Sequence, residues 1–496
     1  MDIRVIPGCL NGAVSAIPSK SQAHRAMICA ALADKPTRIE CRGGSGDIDA
    51  TVACLSAMGA EIIRENGVYI VYPFSPCGHR DGAPAILPCG ESGATFRFLL
   101  PIAGALGRSV SFMPEGRLPK RPLSPLYEEL MRHGCILSPQ GAVPFYASGR
   151  LTRGSYTLDA GVSSQFVSGL LIALPLLCGD SELRLTGSVE SLPYIEMTLA
   201  MLELFKIEIE YQNKVFSIKG GQTYRSPGAI CVEGDWSNAA FWLCAGAIGV
   251  AGSAGFVDAT GIGAGIDANG AVDYSKIGGG IDANGAVDAS DIGSGINTND
   301  AINATGIRSV TCAGLDLQSR QGDRAILDIL ARFGAGVVAN RSSATVSGGK
   351  LKGIEIDVKD IPDLAPILAV TATAAEGTTI IRNAGRLRMK ESDRLSAVTE
   401  LLLGLGADAK IAGDSLIVRG GAALTGGQIF SRGDHRIAMA AAIAATTCAA
   451  PVIIRDAEAV DKSYPGFFED LRSLGGHYLP LDADDTSSAV PTLHPP

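Results

Sequence analysis

Seven short stretches hold the side chains that could do chemistry. Pro18-Ser19-Lys20-Ser21-Gln22-Ala23-His24-Arg25 runs into the apolar AMICAALA, which predicts a helix with Lys20 and Ser21 at its start and Arg25 one turn on. Backbone amides, a hydroxyl and two cations at such an end suit a phosphate or a carboxylate. Comparable starts recur at CGESGATFR (89–97), RLPKRP (117–122), GVSSQ (161–165), RLRMKESDR (386–394), GDHR (433–436) and DKSYP (461–465). Glycine lets a backbone come close to an anion. Taken singly, each stretch reads more readily as a capped or solvated helix end. Together they stand out in a chain with 42 Lys plus Arg against 51 Asp plus Glu and a net charge of −9. An anion site needs several convergent cations and fixed donors, so the basic groups must be gathered locally.

Other chemistries lose their support. The sequence contains no G-x-G-x-x-G, no G-x-x-x-x-G-K-[ST] and no G-x-S-x-G, which removes the main signals for dinucleotide binding, P-loop NTPases and serine hydrolases. Its twelve Cys include no C-x-x-C and its six His no H-x-x-x-H, so neither a zinc site nor a redox motif is expected. Scattered buried thiols in a reducing compartment are the expectation instead. Acidic charge and only 5% aromatics argue against nucleic acid as a partner. The start MDIRVIPGCLNGAVSAIPSK has no apolar signal-peptide core, which predicts a cytoplasmic protein. The longest apolar stretch, Ile437 to Ile454, carries Thr446 and Thr447 and is broken by Pro451, so it reads as a buried helix running into a strand rather than a membrane span.

The elements that position these stretches repeat. A chain of 496 residues, 46% hydrophobic, exceeds one ordinary core and predicts two or more domains. A helix end followed by an alternating strand recurs at Leu55 to Gly59, Leu130 to Gly134, Leu330 to Gly334, Leu402 to Gly406 and Leu471 to Gly475, with a copy lacking the glycine at Leu202 to Lys206. The copies step by 75, 72, 128, 72 and 69 residues. The long interval contains Val250 to Ile307, a segment with its own fifteen-residue period and two copies of DANGAVD. Without it the chain reads as six α/β units of similar length. Asp267, Asn269 and Asp273 match only part of a calcium loop, so the segment is read as a low-complexity surface insertion, neutral for catalysis. The tail, 481–496, is acidic and Pro-containing and reads as disordered.

In this order, PSKSQAHRA, CGESGATFRFL, RLPKRPL, VSSQF, SLPYIEMTL, EGDWSNAAF, QGDRA, IPDLAP, RMKESDRL, DHRIAM and DKSYPGFFEDL closely resemble the 5-enolpyruvylshikimate-3-phosphate synthase family. The resemblance runs from about Pro7 to Leu474, the insertion excepted. It implies an α/β enolpyruvyl transferase fold of two domains, each of three βαβαββ units, with the active site in the cleft between them. One domain would take residues 1–19 and 236–480 and the other 20–235, with Asp235 and Trp236, and the region near Ser19, at the crossings.

The implied reaction moves the enolpyruvyl group of phosphoenolpyruvate to the 5-hydroxyl of shikimate 3-phosphate and releases phosphate, without metal or organic cofactor. Ser21, Arg25, Ser163, Ser164, Gln165, Ser191, Tyr194 and Lys390 would hold shikimate 3-phosphate, together with Arg386, which stands where many relatives carry Asn. Gly93, Arg121, Arg394, Arg436 and Lys462 would hold phosphoenolpyruvate, and Lys20 would touch both. Asp363 would take the hydroxyl proton and Glu391 would protonate the methylene carbon, with Lys20 and His435 assisting. His24, His79 and His133 are expected to be structural or solvated. The resemblance further implies a monomer that needs neither nucleic acid nor membrane. The rivals are a UDP-N-acetylglucosamine 1-carboxyvinyltransferase, whose reactive Cys is missing from GRLPKRPL, and a non-catalytic protein binding calcium through the insertion.

Overall fold

The computed structural model describes residues 1–75, 83–249 and 308–481. The insertion at 250–307, its calcium-like positions, His79 and the tail from 482 onward lie outside the described residues.

Among the described residues the helices come in six pairs. They are α1 (Lys20–Ala31) and α2 (Gly46–Ala57), α3 (Gly93–Leu106) and α4 (Leu126–Arg132), and α5 (Ser164–Ala173) and α6 (Leu192–Leu204). After these come α7 (Trp236–Ile248) and α8 (Ile326–Phe333), α9 (Ala365–Thr373) and α10 (Arg394–Gly404), and α11 (His435–Ala445) and α12 (Phe467–Ser473). Each pair belongs to one of six four-stranded sheets, which bears out the six units expected from the repeat. In the second unit, strand Ala85–Gly90 runs parallel to Val110–Pro114, which pairs antiparallel with Phe145–Gly149, which pairs antiparallel with Cys135–Leu137. The sheet order is therefore first, second, fourth, third, and the other sheets repeat it.

Three units borrow a strand from elsewhere in the chain: Gly12–Ser15 runs parallel to Ser309–Ala313 in the sheet of α7 and α8. Ala229–Cys231 completes the sheet of α1 and α2, and Asp2–Ile6 lies between Val452–Arg455 and His477–Leu481 in the sheet of α11 and α12. In that last pairing Leu481 is matched to Asp2 and Pro480 to Ile3, so Leu481, the first residue of the expected tail, belongs to this sheet.

The first helix of each pair is the more deeply buried. In α3, twelve of fourteen residues are buried, and in α11 all eleven are. The second helices are one-sided: α8 buries only Ile326, Ile329, Leu330 and Phe333. Close approach between buried helices needs small residues. A Cβ on Gly169 of α5 would sit 2.6 Å from the carbonyl oxygen of Arg97 in α3.

Two separate hydrophobic cores result. One draws on residues between Ile3 and Val14 and between Trp236 and Leu474, the other on residues between Ala23 and Val232. The chain passes between them twice, side by side: Ser19 N donates to Glu233 O at 2.7 Å and Asp235 N to Ile17 O at 2.8 Å. Asp235 both caps α7, accepting from Asn238 N at 2.8 Å, and accepts from Lys20 N at 3.2 Å. Ile437 to Ile454 is indeed a buried helix leading to a strand, and no described helix is long and apolar enough to cross a membrane.

Candidate functional site

A cavity of about 110 Å³ is walled by residues from both cores' parts of the chain. Its wall is built of helix starts. Lys20 and Ser21 open α1, Gly93 and Ala94 open α3, and Ser164 opens α5 behind its cap Ser163. Ser191 precedes α6, and Arg394, His435 and Arg436 stand in the first turns of α10 and α11. Aligned peptide dipoles leave partial positive charge at each of these ends. Gly93 also makes room: a Cβ there would lie 2.9 Å from Arg121 Nη1.

Three carboxylates in the wall, Asp47, Asp363 and Glu391, face eight lysines and arginines. Asp363 Oδ1 accepts from Arg394 Nη1 at 2.8 Å and Lys390 Nζ at 3.3 Å, while Oδ2 lies 3.4 Å from both Arg436 Nη2 and the Tyr194 hydroxyl. Burial alone would raise its pKa. Arg436, Lys390 and Arg394 outweigh burial and hold the carboxyl well below the usual range. Glu391 accepts from Arg394 Nη2 at 2.7 Å and Arg121 Nη1 at 3.4 Å, and it too is held low against burial, by Arg121, Arg394 and Lys462. Behind them Asp434 takes Arg394 Nε at 2.9 Å and Nη2 at 3.0 Å, which fixes the guanidinium plane. Lys20 pairs with Asp47 at 2.8 Å.

The remaining cations differ in how fully they are occupied. Arg25 bonds Thr198 Oγ1, Ser21 O, Ser168 Oγ and Tyr194 O at 2.7 to 3.2 Å, tying α1 to α5 and α6. Arg97 donates to Gln165 Oε1 at 2.7 Å and Pro122 O at 3.2 Å, but its Nε and that of Arg121 are buried without a partner. Burial and the neighbouring Arg121 push the Arg97 pKa well below the arginine norm, the signature of a cation lacking a counter-ion. Both ring nitrogens of His435 are likewise buried and unpartnered, and burial with Lys20 and Arg436 keeps the ring neutral.

Several bonds join the two sides across the cavity mouth. Besides Arg121 to Glu391, Lys462 Nζ reaches Glu91 Oε2 at 3.2 Å, Arg386 Nη1 donates to Ser191 Oγ at 2.9 Å, and Leu192 N donates to Asp360 Oδ1 at 3.1 Å. Arg386 also lies 3.4 Å from Glu190.

All the residues expected at the site from the sequence line this cavity except Lys462, which sits at its edge on Glu91. Arg97, Asp47 and His24 line it as well without having been expected there. His24 is buried with Nδ1 2.6 Å from Thr51 Oγ1, and burial lowers its pKa to about 3, so it forms wall and core at once. Arg97 was within reach of sequence reasoning, because it stands one turn inside α3 as Arg25 does inside α1. His133, expected to be structural or solvated, stacks on Tyr156 at 3.8 Å between ring centroids.

The chain matches the family model described as EPSP synthase (3-phosphoshikimate 1-carboxyvinyltransferase) over residues 5–254 and 261–471. A 3-phosphoshikimate 1-carboxyvinyltransferase of Clostridium kluyveri is 37% identical over 482 residues, covering 96% of this chain and 97% of the relative. One of Clostridium acetobutylicum is 38% identical over 477 residues, covering 96% and 97%. Among solved structures, EPSP synthase from Acinetobacter baumannii aligns with a TM-score of 0.71 at 22% identity, covering 97% of this chain and 100% of that one. The enolpyruvyl transferase NikO from Streptomyces tendae aligns at 0.68 and 18% identity, covering 96% and 98%. At those identities the two structures speak for the fold alone.

Proposed function

The chain belongs to the EPSP synthase family and transfers the enolpyruvyl group of phosphoenolpyruvate to shikimate 3-phosphate, and we propose that the cavity residues divide the work as follows. Ser21, Arg25, Ser163, Ser164, Gln165, Ser191, Tyr194, Arg386 and Lys390 take shikimate 3-phosphate. Gly93, Arg121, Arg394, Arg436 and Lys462 take phosphoenolpyruvate, and Lys20 serves both. Arg97 joins them, since its unpartnered Nε and dry surroundings call for an anion nearby.

The observation that carries this reading is the excess of cations over carboxylates in a cavity of an otherwise acidic chain. Both substrates are phosphorylated carboxylates. Like charges about 4 Å apart at an effective dielectric near 20 repel by about 4 kcal/mol, which only a surplus of fixed positive charge offsets.

Asp363 accepts the proton of the 5-hydroxyl as its oxygen attacks the central carbon of phosphoenolpyruvate. Glu391 gives a proton to the methylene carbon, and the tetrahedral adduct then expels phosphate. The cations that hold both carboxylates ionised are the ones assigned to the substrates. An incoming phosphate and carboxylate neutralise them and so raise the pKa of Asp363 and Glu391, turning one into a better base and letting the other take up the proton it delivers. Lys20 and His435 stand beside both transfers.

The division of the chain into 1–19 with 236–480 and 20–235 is part of the same proposal, supported by the two separate cores. So are a cytoplasmic location, a monomeric state and independence from cofactors. Relatives named 3-phosphoshikimate 1-carboxyvinyltransferase favour a shikimate 3-phosphate acceptor over a UDP-sugar. The test is phosphate release on mixing the protein with both substrates. Release that needs both and disappears in Asp363→Asn is expected; an active Asp363→Asn protein would overturn the assignment of the base.

A further inference from the structure

One group beside Asp363 has no part in the steps above. Asp323, in the short turn Gly322–Ala325 ahead of α8, is 3% exposed. Its Oδ2 lies 3.4 Å from the Tyr194 hydroxyl, and that hydroxyl lies 3.4 Å from Asp363 Oδ2 as well. Its Oδ1 is buried with no hydrogen-bond partner. A phenol has one proton, so it donates to one of the two carboxyl groups and turns a lone pair toward the other. If both carboxyls were ionised, the second would face that lone pair and the charge of the first across a buried site, an arrangement relieved when one of them keeps a proton.

Asp363 is not the one that keeps it, because Arg394, Lys390 and Arg436 surround it. Around Asp323 stand Tyr194 from α6, Asp363 from the turn before α9, Arg436 from α11, and Asp235 and Ser237 from the start of α7. Ser237 approaches without completing a hydrogen bond, and Arg436 is the one cation in that set. Burial first, and the charge of Asp363 second, push the Asp323 carboxyl up to about 7.

We propose that Asp323 is a positioning residue: in its protonated form it donates to the Tyr194 oxygen, which turns the Tyr194 proton onto Asp363 and fixes the carboxylate that meets the acceptor hydroxyl. This rests on the role proposed for Asp363. Ionisation of Asp323 removes its donor, leaves Tyr194 contested between two anions and adds a second negative charge beside the base. The group's folded value is raised, so the productive form prevails below neutrality and is lost as pH rises through about 7.

Asp323→Asn tests it, because the amide donates to Tyr194 at every pH. Its kcat/KM for shikimate 3-phosphate at about pH 6 is expected within about threefold of the unmodified protein, while the alkaline fall near neutrality is displaced upward. Asp323→Ala, with no donor, is expected to lose about tenfold in kcat at all pH values with its KM little changed. Substrate ionisation is common to all three proteins and cancels in the ratios. An infrared difference spectrum, unmodified protein minus Asp323→Asn, should carry a protonated-carboxyl band at about pH 6 that fades by about pH 8.5.

A ratio of Asp323→Asn to unmodified activity that does not change with pH, or the absence of the band, overturns the inference. Should Asp323→Asn fail to fold, Tyr194→Phe carries the test, since without the phenol the alkaline fall must shrink, and an unchanged fall overturns the inference. Asp363→Asn run alongside separates the two claims. Activity retained there defeats the role of Asp363, whereas activity lost there with a pH-independent Asp323→Asn ratio defeats only the role of Asp323.

Discussion

Arg394 bonds three carboxylates at once, Asp434 behind it and Asp363 and Glu391 in front, while only 1% exposed. Arg394→Met is therefore expected to do more than weaken substrate binding. It strands Asp434, which is wholly buried, and removing one partner of a buried ion pair costs about 3–5 kcal/mol. A denaturant titration should show that loss in the absence of any substrate; a midpoint shift equivalent to less than about 1 kcal/mol would mean Asp434 has another way to be neutralised. The same carboxylates make stability depend on acid. Asp363 and Glu391 have folded values below their unfolded ones, so their contribution is present at neutrality and disappears as pH falls below the usual carboxylate range. The carboxylates and cations at helix starts were legible as motifs because their spacing is local. Asp323 was not. It sits in QGDRA, a stretch noticed in the sequence, but its meaning depends on Tyr194 and Asp363, which tertiary folding brings to it from 129 residues before and 40 after.

At the scale of elements, the recurring Leu and Gly mark a shared helix stop. The residue five places after the Leu donates back to it in Ala60 to Leu55, Ile207 to Leu202, Ala335 to Leu330, Ala407 to Leu402 and Gly476 to Leu471, each at 2.9 or 3.0 Å. The residue between is left-handed, with φ from +85° to +103° at Gly59, Gly134, Gly334, Gly406 and Gly475. Lys206 adopts the same stop at φ +64° with a side chain attached. The sequence showed the missing glycine but not that the turn persists without it, since a backbone torsion leaves no trace in residue types. A left-handed L-residue costs about 1–2 kcal/mol, while glycine adds about 0.5–1 kcal/mol of unfolded-state freedom. Lys206→Gly is thus expected to stabilise the protein by about 0.5–1 kcal/mol, read as a raised denaturation midpoint; a lowered midpoint would mean that the lysine side chain contributes more than the strain.

Across the whole molecule, bonds such as Arg121 to Glu391, Lys462 to Glu91 and Arg386 to Ser191 join the two parts of the chain around the cavity, beyond the paired crossings near Ser19 and Asp235. Eight cations facing three carboxylates repel one another until anions arrive, so shikimate 3-phosphate alone is expected to draw the halves together. Small-angle scattering should record a smaller radius of gyration on adding it, and equal radii would count against closure by substrate. The described residues that flank 250–307 attach away from this cavity. Cys9 Sγ donates to Gly249 O at 3.3 Å and Ser309 N donates to Asn11 Oδ1 at 2.9 Å, so the chain leaves and re-enters beside one loop that does not line the cavity. A protein with 250–307 replaced by a short linker is expected to release phosphate at a rate within about threefold of the full chain.

The strand pairing also sets an order of assembly. Every strand of the half built from residues between Ala23 and Val232 has been made once Cys231 leaves the ribosome. Asp2–Ile6 and Gly12–Ser15 are synthesised before any of them, yet their partners are Ser309–Ala313, Val452–Arg455 and His477–Leu481. These two strands are thus made before that half yet placed only after it, when their partners follow.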